Sequence, residues 1–334
     1  MTYDSPTGRD ADKRAFKQYL KWLGINLANI QEILVTAGGE STLTLLMMTL
    51  FSHGDKIAVD EFTYGNLIAT AQLCGIHLVA VKSDEEGMQA EDLLHVCQVN
   101  NIKGVYLMPE YSNPTGKTIS LTRRKQLAEI IERQNLIAIE DDYLSFLSQK
   151  NPTHPLKMMQ LVPQNTCYIC SMSKVIASGL RVGYLIYPDK YSSEIKNGFF
   201  NTMVKTSSLD TAVVTEAINT NTAKNIMAYK LELAQKANRI FEQYFPNAPK
   251  NQLTDFAFFR NLPIQKRLTG KKIEEDLLNI NIRCFVSDRF LVKANPDKQF
   301  LRVSLSSTNS LAELDNGLKK LRGYLLKNDL IGNN

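Results

Sequence analysis

Cysteine is scarce and odd in number in this 334-residue chain: Cys74, Cys97, Cys167, Cys170 and Cys284 are widely spaced. Such a set excludes a disulfide framework and points to a reducing compartment, so the cytoplasm is the expected location. Cys167 and Cys170 form a CxxC, but no second pair and no neighbouring histidine accompany it. The pair therefore reads as buried small apolar residues, and no metal is expected. Neither sign of charge dominates. Lys and Arg number 39 against 34 Asp and Glu, a net charge of +5, and the two signs are interspersed. No nucleic-acid partner is implied by that pattern. No stretch reaches the roughly 18 uncharged apolar residues of a membrane span, and Met1–Arg14 contains no apolar leader core, so no membrane partner is expected either. Internal repeats and low-complexity linkers are also missing.

What remains is an ordinary globular composition, 44% hydrophobic and 22% charged. The length exceeds the roughly 250–300 residues at which one core stops growing, so two domains are expected. From about residue 30 to 190, short aliphatic or β-branched runs alternate with amphipathic segments, the pattern of parallel βαβ units. The expected strands are Ile33–Val35, Lys56–Val59, His77–Val81, Gly104–Met108, Leu136–Glu140, Thr166–Cys170 and Arg181–Ile186. Helices are expected at Asp10–Leu23, Ser41–Ser52, Tyr64–Cys74, Ala90–Asn100, Leu121–Gln134 and Ser192–Asn201. One long helical tract, Thr211–Tyr244, follows, and then strand-like pieces at Phe256–Arg260 and Phe300–Leu305. The expected fold is α/β: a three-layer αβα large domain (1–225) with a mostly parallel seven-stranded sheet, and a smaller α+β C-terminal domain (226–334).

Four loops between these elements carry chemistry. Lys174, in Ser171-Met-Ser173-Lys174-Val-Ile-Ala-Ser-Gly179-Leu-Arg181-Val-Gly183, follows a strand. An amine on a strand-end loop suits Schiff-base formation, because partial burial and a cationic neighbour such as Arg181 lower its pKa. Thr36-Ala-Gly38-Gly39-Glu40-Ser41 lies between a strand and a helix, where helix-terminal N–H groups suit a phosphate; the plain alternative is a turn with Ser41 as N-cap. Glu140-Asp141-Asp142-Tyr143 ends an apolar strand and offers a carboxylate to a protonated ring nitrogen. Pro109-Glu-Tyr-Ser-Asn113-Pro114-Thr115-Gly116 forms a rigid turn in which Asn113 can donate to a phenolate oxygen without neutralising it.

Taken in order from Tyr3 to Arg302, these strings resemble the fold type I pyridoxal-phosphate enzymes of the class I and II aminotransferase family. The nearest flavour is the aminotransferase-like domain of MocR-type proteins. The resemblance implies pyridoxal 5′-phosphate as cofactor, with Lys174 as its Schiff-base lysine and proton carrier. Gly39, Glu40 through its backbone, Ser41, Ser171, Ser173 and Arg181 are then the phosphate ligands. Asp141 is the partner of the pyridinium, with Asp142 as the alternative, and Tyr143 and Asn113 serve the phenolic oxygen. Tyr64, after Asp60-Glu-Phe-Thr, matches the aromatic that stacks on the ring. Arg302, in Gln299-Phe-Leu-Arg302, matches the arginine that grips the substrate carboxylate, beside Asn113. Tyr3 matches a tyrosine that reaches the phosphate of a neighbouring subunit, which implies a homodimer with shared active sites.

In two places the chain departs from the family. The N-terminal arm and the upstream DNA-binding region of the regulators are not represented before Tyr3. Where many relatives carry a glycine pair, this chain has Thr254-Asp255-Phe256, and Asp255 is a candidate contact for a basic or hydroxylated substrate side chain. The expected function is amino transfer between an α-amino acid and a 2-oxo acid. The alternatives are another pyridoxal-phosphate reaction (lyase, decarboxylase or cyclase) and a ligand-sensing domain of regulator descent without turnover.

Overall fold

The computed structural model describes residues 5–151, 153, 155–293 and 298–332. Seven strands form one sheet, in the order Gln31–Thr36, Gly183–Pro188, Thr166–Ser171, Ile137–Asp141, Ile102–Leu107, Lys56–Asp60 and His77–Val81. The last five pair in parallel, whereas Gly183–Pro188 runs antiparallel to both of its neighbours. The reason is the short link after Ser171. It has room for the one-turn helix Met172–Val175 and a 3₁₀ turn, Ser178–Leu180, but not for a crossover helix that would return the chain parallel.

Side chains alternate across this sheet and sort into two cores. Ile33, Val35, Tyr168 and Tyr184 pack against Asp10–Trp22, Ser208–Asn219 and the start of Thr222–Tyr244. On the same face, Ala58, Val105 and Ala138 meet Ala90–Val99 and Leu121–Arg133. The residues between them in sequence, Leu34, Ile57, Tyr106, Ile139 and Ile169, face Gly39–Leu50, Gly65–Leu73 and Ser192–Met203. Helices thus cover both faces, which is why the central strands read as near-continuous apolar runs. The three-layer expectation holds.

A three-stranded antiparallel sheet, ordered Phe259–Ile264, Gln299–Ser304, Phe285–Val286, forms the C-terminal unit with Gly270–Asn279 and Leu311–Lys327. The long helix Thr222–Tyr244 joins the two units: Ala223, Met227 and Leu231 belong to the core of the large sheet, and Ala237 and Phe241 to that of the small one. Phe62 meets Phe300 edge-on at 5.0 Å between ring centroids, and Thr63 N–H donates to the Phe290 carbonyl at 2.9 Å. These contacts seat the small sheet beside the strand ends of the large one.

Three expectations need correction. The tract Thr211–Tyr244 is two helices, Ser208–Asn219 and Thr222–Tyr244, because Asn221 adopts the left-handed conformation (φ 60°) that asparagine tolerates and ends the first helix. The strand expected at Phe256–Arg260 begins only at Phe259. Before it, Thr254 Oγ1 and Asn251 Oδ1 accept backbone N–H groups at 2.7 and 2.9 Å, and these local bonds favour a 3₁₀ turn at Thr254–Phe256. Arg181 is not in a strand: its φ is 47°, and Gly183 opens the strand.

Candidate active site

The loops that sequence reasoning singled out all follow the carboxyl ends of mutually parallel strands, where open α/β sheets bind ligands. Strand Gln31–Thr36 delivers Gly38 and Gly39 to the N-terminus of helix Gly39–Leu50; Gly38 is the N-cap at φ 92°. The packing there is tightest at Gly38 and Gly183. A Cβ on Gly38 would lie 3.1 Å from Arg181 Nη2, and one on Gly183 would lie 3.0 Å from the Gly38 Cα. Gly39 faces Ser171, to whose Cβ an added Cβ would stand at 3.5 Å. Ser171 Oγ accepts the Ser173 N–H at 3.3 Å, and Arg181 Nη1 donates to Ser173 Oγ at 3.4 Å. Helix N–H groups, two hydroxyls and a guanidinium thus converge on one small space, which fits a phosphate dianion. Ser41 lies in the first helical turn with its hydroxyl on the Gly38 carbonyl at 3.2 Å, so it is not the N-cap.

Asp141 ends its strand at the floor of the cleft, where Tyr106 OH donates to its Oδ2 at 2.7 Å. Burial pushes its carboxyl up to about 7; repulsion from Glu40 and Asp142 adds to this, and the Tyr106 hydrogen bond opposes it. Asp142 points the other way. Its Oδ2 takes Lys157 Nζ at 2.7 Å and Tyr168 OH at 2.8 Å, fully inside the protein. Of the two aspartates, Asp141 alone therefore fronts the cleft with a carboxylate free of an ion pair among the described residues.

Beside Asp141, Tyr64 OH donates to Glu40 Oε1, which also accepts Asn66 Nδ2 at 3.0 Å. Burial and Glu40 hold the Tyr64 phenol well above its ordinary pKa. The Asn113–Pro114 bond is cis. Asn113 Oδ1 accepts Arg302 Nε at 2.7 Å, and the Arg302 guanidinium lies 4.2 Å from the Phe259 ring centroid. Its terminal nitrogens take no partner among the described residues, so the fork is available for a carboxylate. Tyr143 OH donates to the Tyr111 carbonyl at 2.7 Å, tying the aspartate loop to the Asn113 turn. Lys174 is exposed, and its ammonium is pushed below the usual lysine range by burial of its surroundings and by Arg302.

The structure therefore brings Lys174, Asp141, Tyr143, Asn113, Arg302, Tyr64, Glu40, Ser171, Ser173, Arg181, Gly39 and Ser41 to one cleft between the two sheets. Tyr3 lies outside the described residues. Asp255 is exposed on the Thr254–Phe256 turn. Sequence reasoning missed Tyr106, whose only signal is a hydroxyl inside an apolar strand, and the ions beneath the site. Lys157 bridges Asp142 and Glu110, each at 2.7 Å, and Arg124 reaches Glu110 at 3.2 Å, all buried. Nothing in the spacing of these residues announces the network. Among the described residues no His, Cys, Asp and Glu cluster could hold a metal ion, and no helix is long and apolar enough to cross a membrane.

Comparison with known proteins agrees with this geometry. The uncharacterised HTH-type transcriptional regulator YdeF of Bacillus subtilis is 30% identical over 297 residues, covering 89% of this chain and 63% of the regulator. The chain spans 44–63% of the length of three such B. subtilis regulators. The uncharacterised aminotransferase SSO0104 of Saccharolobus solfataricus is 23% identical over 340 residues, 99% of this chain and 84% of that one. The crystal structure of Pyrococcus horikoshii kynurenine aminotransferase shares the fold, with a TM-score of 0.87 at 18% identity, covering 99% of this chain and 83% of that one. The family pattern described as aminotransferase class I and II matches residues 3–321. The chain belongs to the class I and II aminotransferases, a family whose cofactor is pyridoxal 5′-phosphate.

Proposed function

We propose that this chain transfers an amino group between an α-amino acid and a 2-oxo acid, with residues 1–225 holding the cofactor and 226–334 closing over the substrate. The observation that carries the reading is the convergence of an amine (Lys174), an unpaired carboxylate (Asp141) and an unspent guanidinium (Arg302) around one anion cradle. Pyridoxal 5′-phosphate, when bound, supplies an electron sink that acidifies the Cα–H of an attached amino acid.

The residues divide that work. Gly39, Glu40 and Ser41, by their backbone at the helix N-terminus, hold the phosphate with Ser171, Ser173 and Arg181. Tyr64 flanks the ring. Asp141 keeps the ring nitrogen protonated, its pKa falling from about 7 once a cation faces it. Asn113 would donate its Nδ2, which has no partner among the described residues, to the phenolic oxygen, and Tyr143 would reach that oxygen by exchanging its bond to the Tyr111 carbonyl. Arg302 would grip the substrate carboxylate with its free terminal nitrogens and so orient the substrate Cα for the reaction. Lys174 would hold the cofactor through its amine and, once freed by the substrate amine, would take the proton from the substrate Cα and deliver it across the nitrogen to the carbon the lysine had held.

We further propose a homodimer. Phe200, Val204, Leu209 and Val213 expose apolar surface around the junction of Ser192–Met203 and Ser208–Asn219, in keeping with a partner of the same kind. Five free cysteines suit the cytoplasm. Similarity to HTH-type regulators favours one second reading, a domain that binds amino acids and reports the binding without turnover. A single-turnover experiment separates the two. Amino transfer predicts that one equivalent of a productive amino acid yields one equivalent of 2-oxo acid and of pyridoxamine 5′-phosphate; saturable binding with no oxo acid from any of the twenty amino acids would overturn it.

A further inference from the structure

Lys230 stands outside every motif and outside the mechanism above, yet it touches the turn on which Lys174 sits. Its Nζ donates to the Lys174 carbonyl at 2.9 Å and to the Ile176 carbonyl at 2.7 Å. Helix Met172–Val175 is a single turn, too short to hold itself, and no continuing helix supplies N–H donors to its last carbonyls. A lysine at a helix C-terminus satisfies such carbonyls and complements the helix dipole. On the other side of the turn, Ser171 Oγ accepts the Ser173 N–H, so the Lys174 backbone is held from both directions.

Lys230 is itself aimed. Met227, one turn earlier on Thr222–Tyr244, and the adjacent Leu231 are buried in the core of the large sheet, which fixes the helix that carries Lys230. From these contacts we infer that Lys230 is a positioning residue for Lys174, capping its turn and keeping a second cation beside its amine. The inference rests on Lys174 being the cofactor lysine.

The charges around the pair are few. Arg302 faces Lys174 from the Gln299–Ser304 strand, and Arg181 bonds Ser173 on the side of the phosphate cradle. Glu40 and Asp141 stand at the ring side with Tyr64, Tyr106 and Tyr143. No acid pairs with Lys174 or Lys230 among the described residues. Burial and Lys174 hold the Lys230 ammonium below its usual range, while burial and Arg302 lower that of Lys174; Lys230, a second cation bonded to the Lys174 carbonyl at 2.9 Å, adds to the latter because Coulomb repulsion acts on both charges alike. Lys230 thereby helps free the Lys174 amine of its proton, the form in which it acts as nucleophile and base.

The test is the titration of Lys174 in cofactor-free protein, read by trace acetylation with isotopic acetic anhydride and peptide mass spectrometry across pH. Lys230→Gln should raise the Lys174 midpoint by about 0.5 pH unit and slow its capture of added pyridoxal 5′-phosphate about threefold at pH 7.5. Lys230→Arg, which keeps charge and donors, should restore both values. An unchanged Lys174 midpoint in Lys230→Gln, with the melting temperature also unchanged, overturns the inference. This readout needs no cofactor, so a wild-type chain that captures none would instead overturn the cofactor reading, leaving the titration shift to stand or fall by itself.

Discussion

Asp141 combines a pKa near 7 with a place where a cationic ring would face it, and this makes its behaviour without cofactor informative. The native carboxyl holds its proton up to about pH 7, while an unfolded aspartate releases it near the ordinary 3.8. Across that window the native state binds more protons, so stability falls as pH rises. Glu140, pushed up to about 7 by burial, and Asp60, pushed up to about 6, act with the same sign. Asp141→Asn should therefore melt several degrees above the wild type at pH 8 in cofactor-free protein and no higher near pH 4, by differential scanning fluorimetry. Equal shifts at both pH values would mean that the carboxyl is not desolvated. Arg302 offers a second test at this scale. Lys in its place keeps the charge but loses the planar fork, so Arg302→Lys should lower kcat/KM for amino acids about tenfold or more, about 1.4 kcal/mol.

Among the elements, the buried ions under the site hold two loops in register. Lys157 Nζ joins Asp142, next to Asp141, to Glu110, in the turn that carries Asn113. Lys157→Met leaves Glu110 with Arg124 and, among the described residues, buried Asp142 with only the Tyr168 hydroxyl, and should cost about 3–5 kcal/mol in a urea titration, part of which Asp142→Asn recovers in the double variant. Gly183→Ala tests the cradle: its Cβ would press on Gly38 backbone atoms at 3.0 and 3.1 Å, so affinity for the cofactor should drop further than stability does. The strands and most helices were legible because a sheet buried on both faces demands apolar runs such as Thr166–Ser171. Each of the loops after the strands announced its chemistry through residue types that the cofactor requires. What sequence could not reveal depends on contacts distant along the chain. Asp142 could be told from Asp141 only by its meeting with Lys157, and Lys230 reaches the Lys174 turn across 56 residues. The break at Asn221 had a signal, since Asn219-Thr220-Asn221-Thr222 strings four poor helix formers together, but propensity is a weak prior against the helical pattern on either side.

For the whole molecule, the long helix Thr222–Tyr244, the Arg302–Asn113 bond and the Phe62–Phe300 and Thr63–Phe290 contacts connect the small sheet to the large one. The exposed apolar residues Leu209 and Val213 lie where we propose that a second copy of the chain docks. Replacing both with glutamate should convert a dimer to a monomer in multi-angle light scattering; an unchanged mass would place the dimer contact elsewhere. Whether this cleft holds pyridoxal 5′-phosphate through Lys174 is decided by borohydride reduction of the protein mixed with the cofactor, followed by peptide mass spectrometry. One phosphopyridoxyl group is expected, on Lys174, and none in Lys174→Ala. A label on another lysine, or one that persists in that variant, would contradict this assignment.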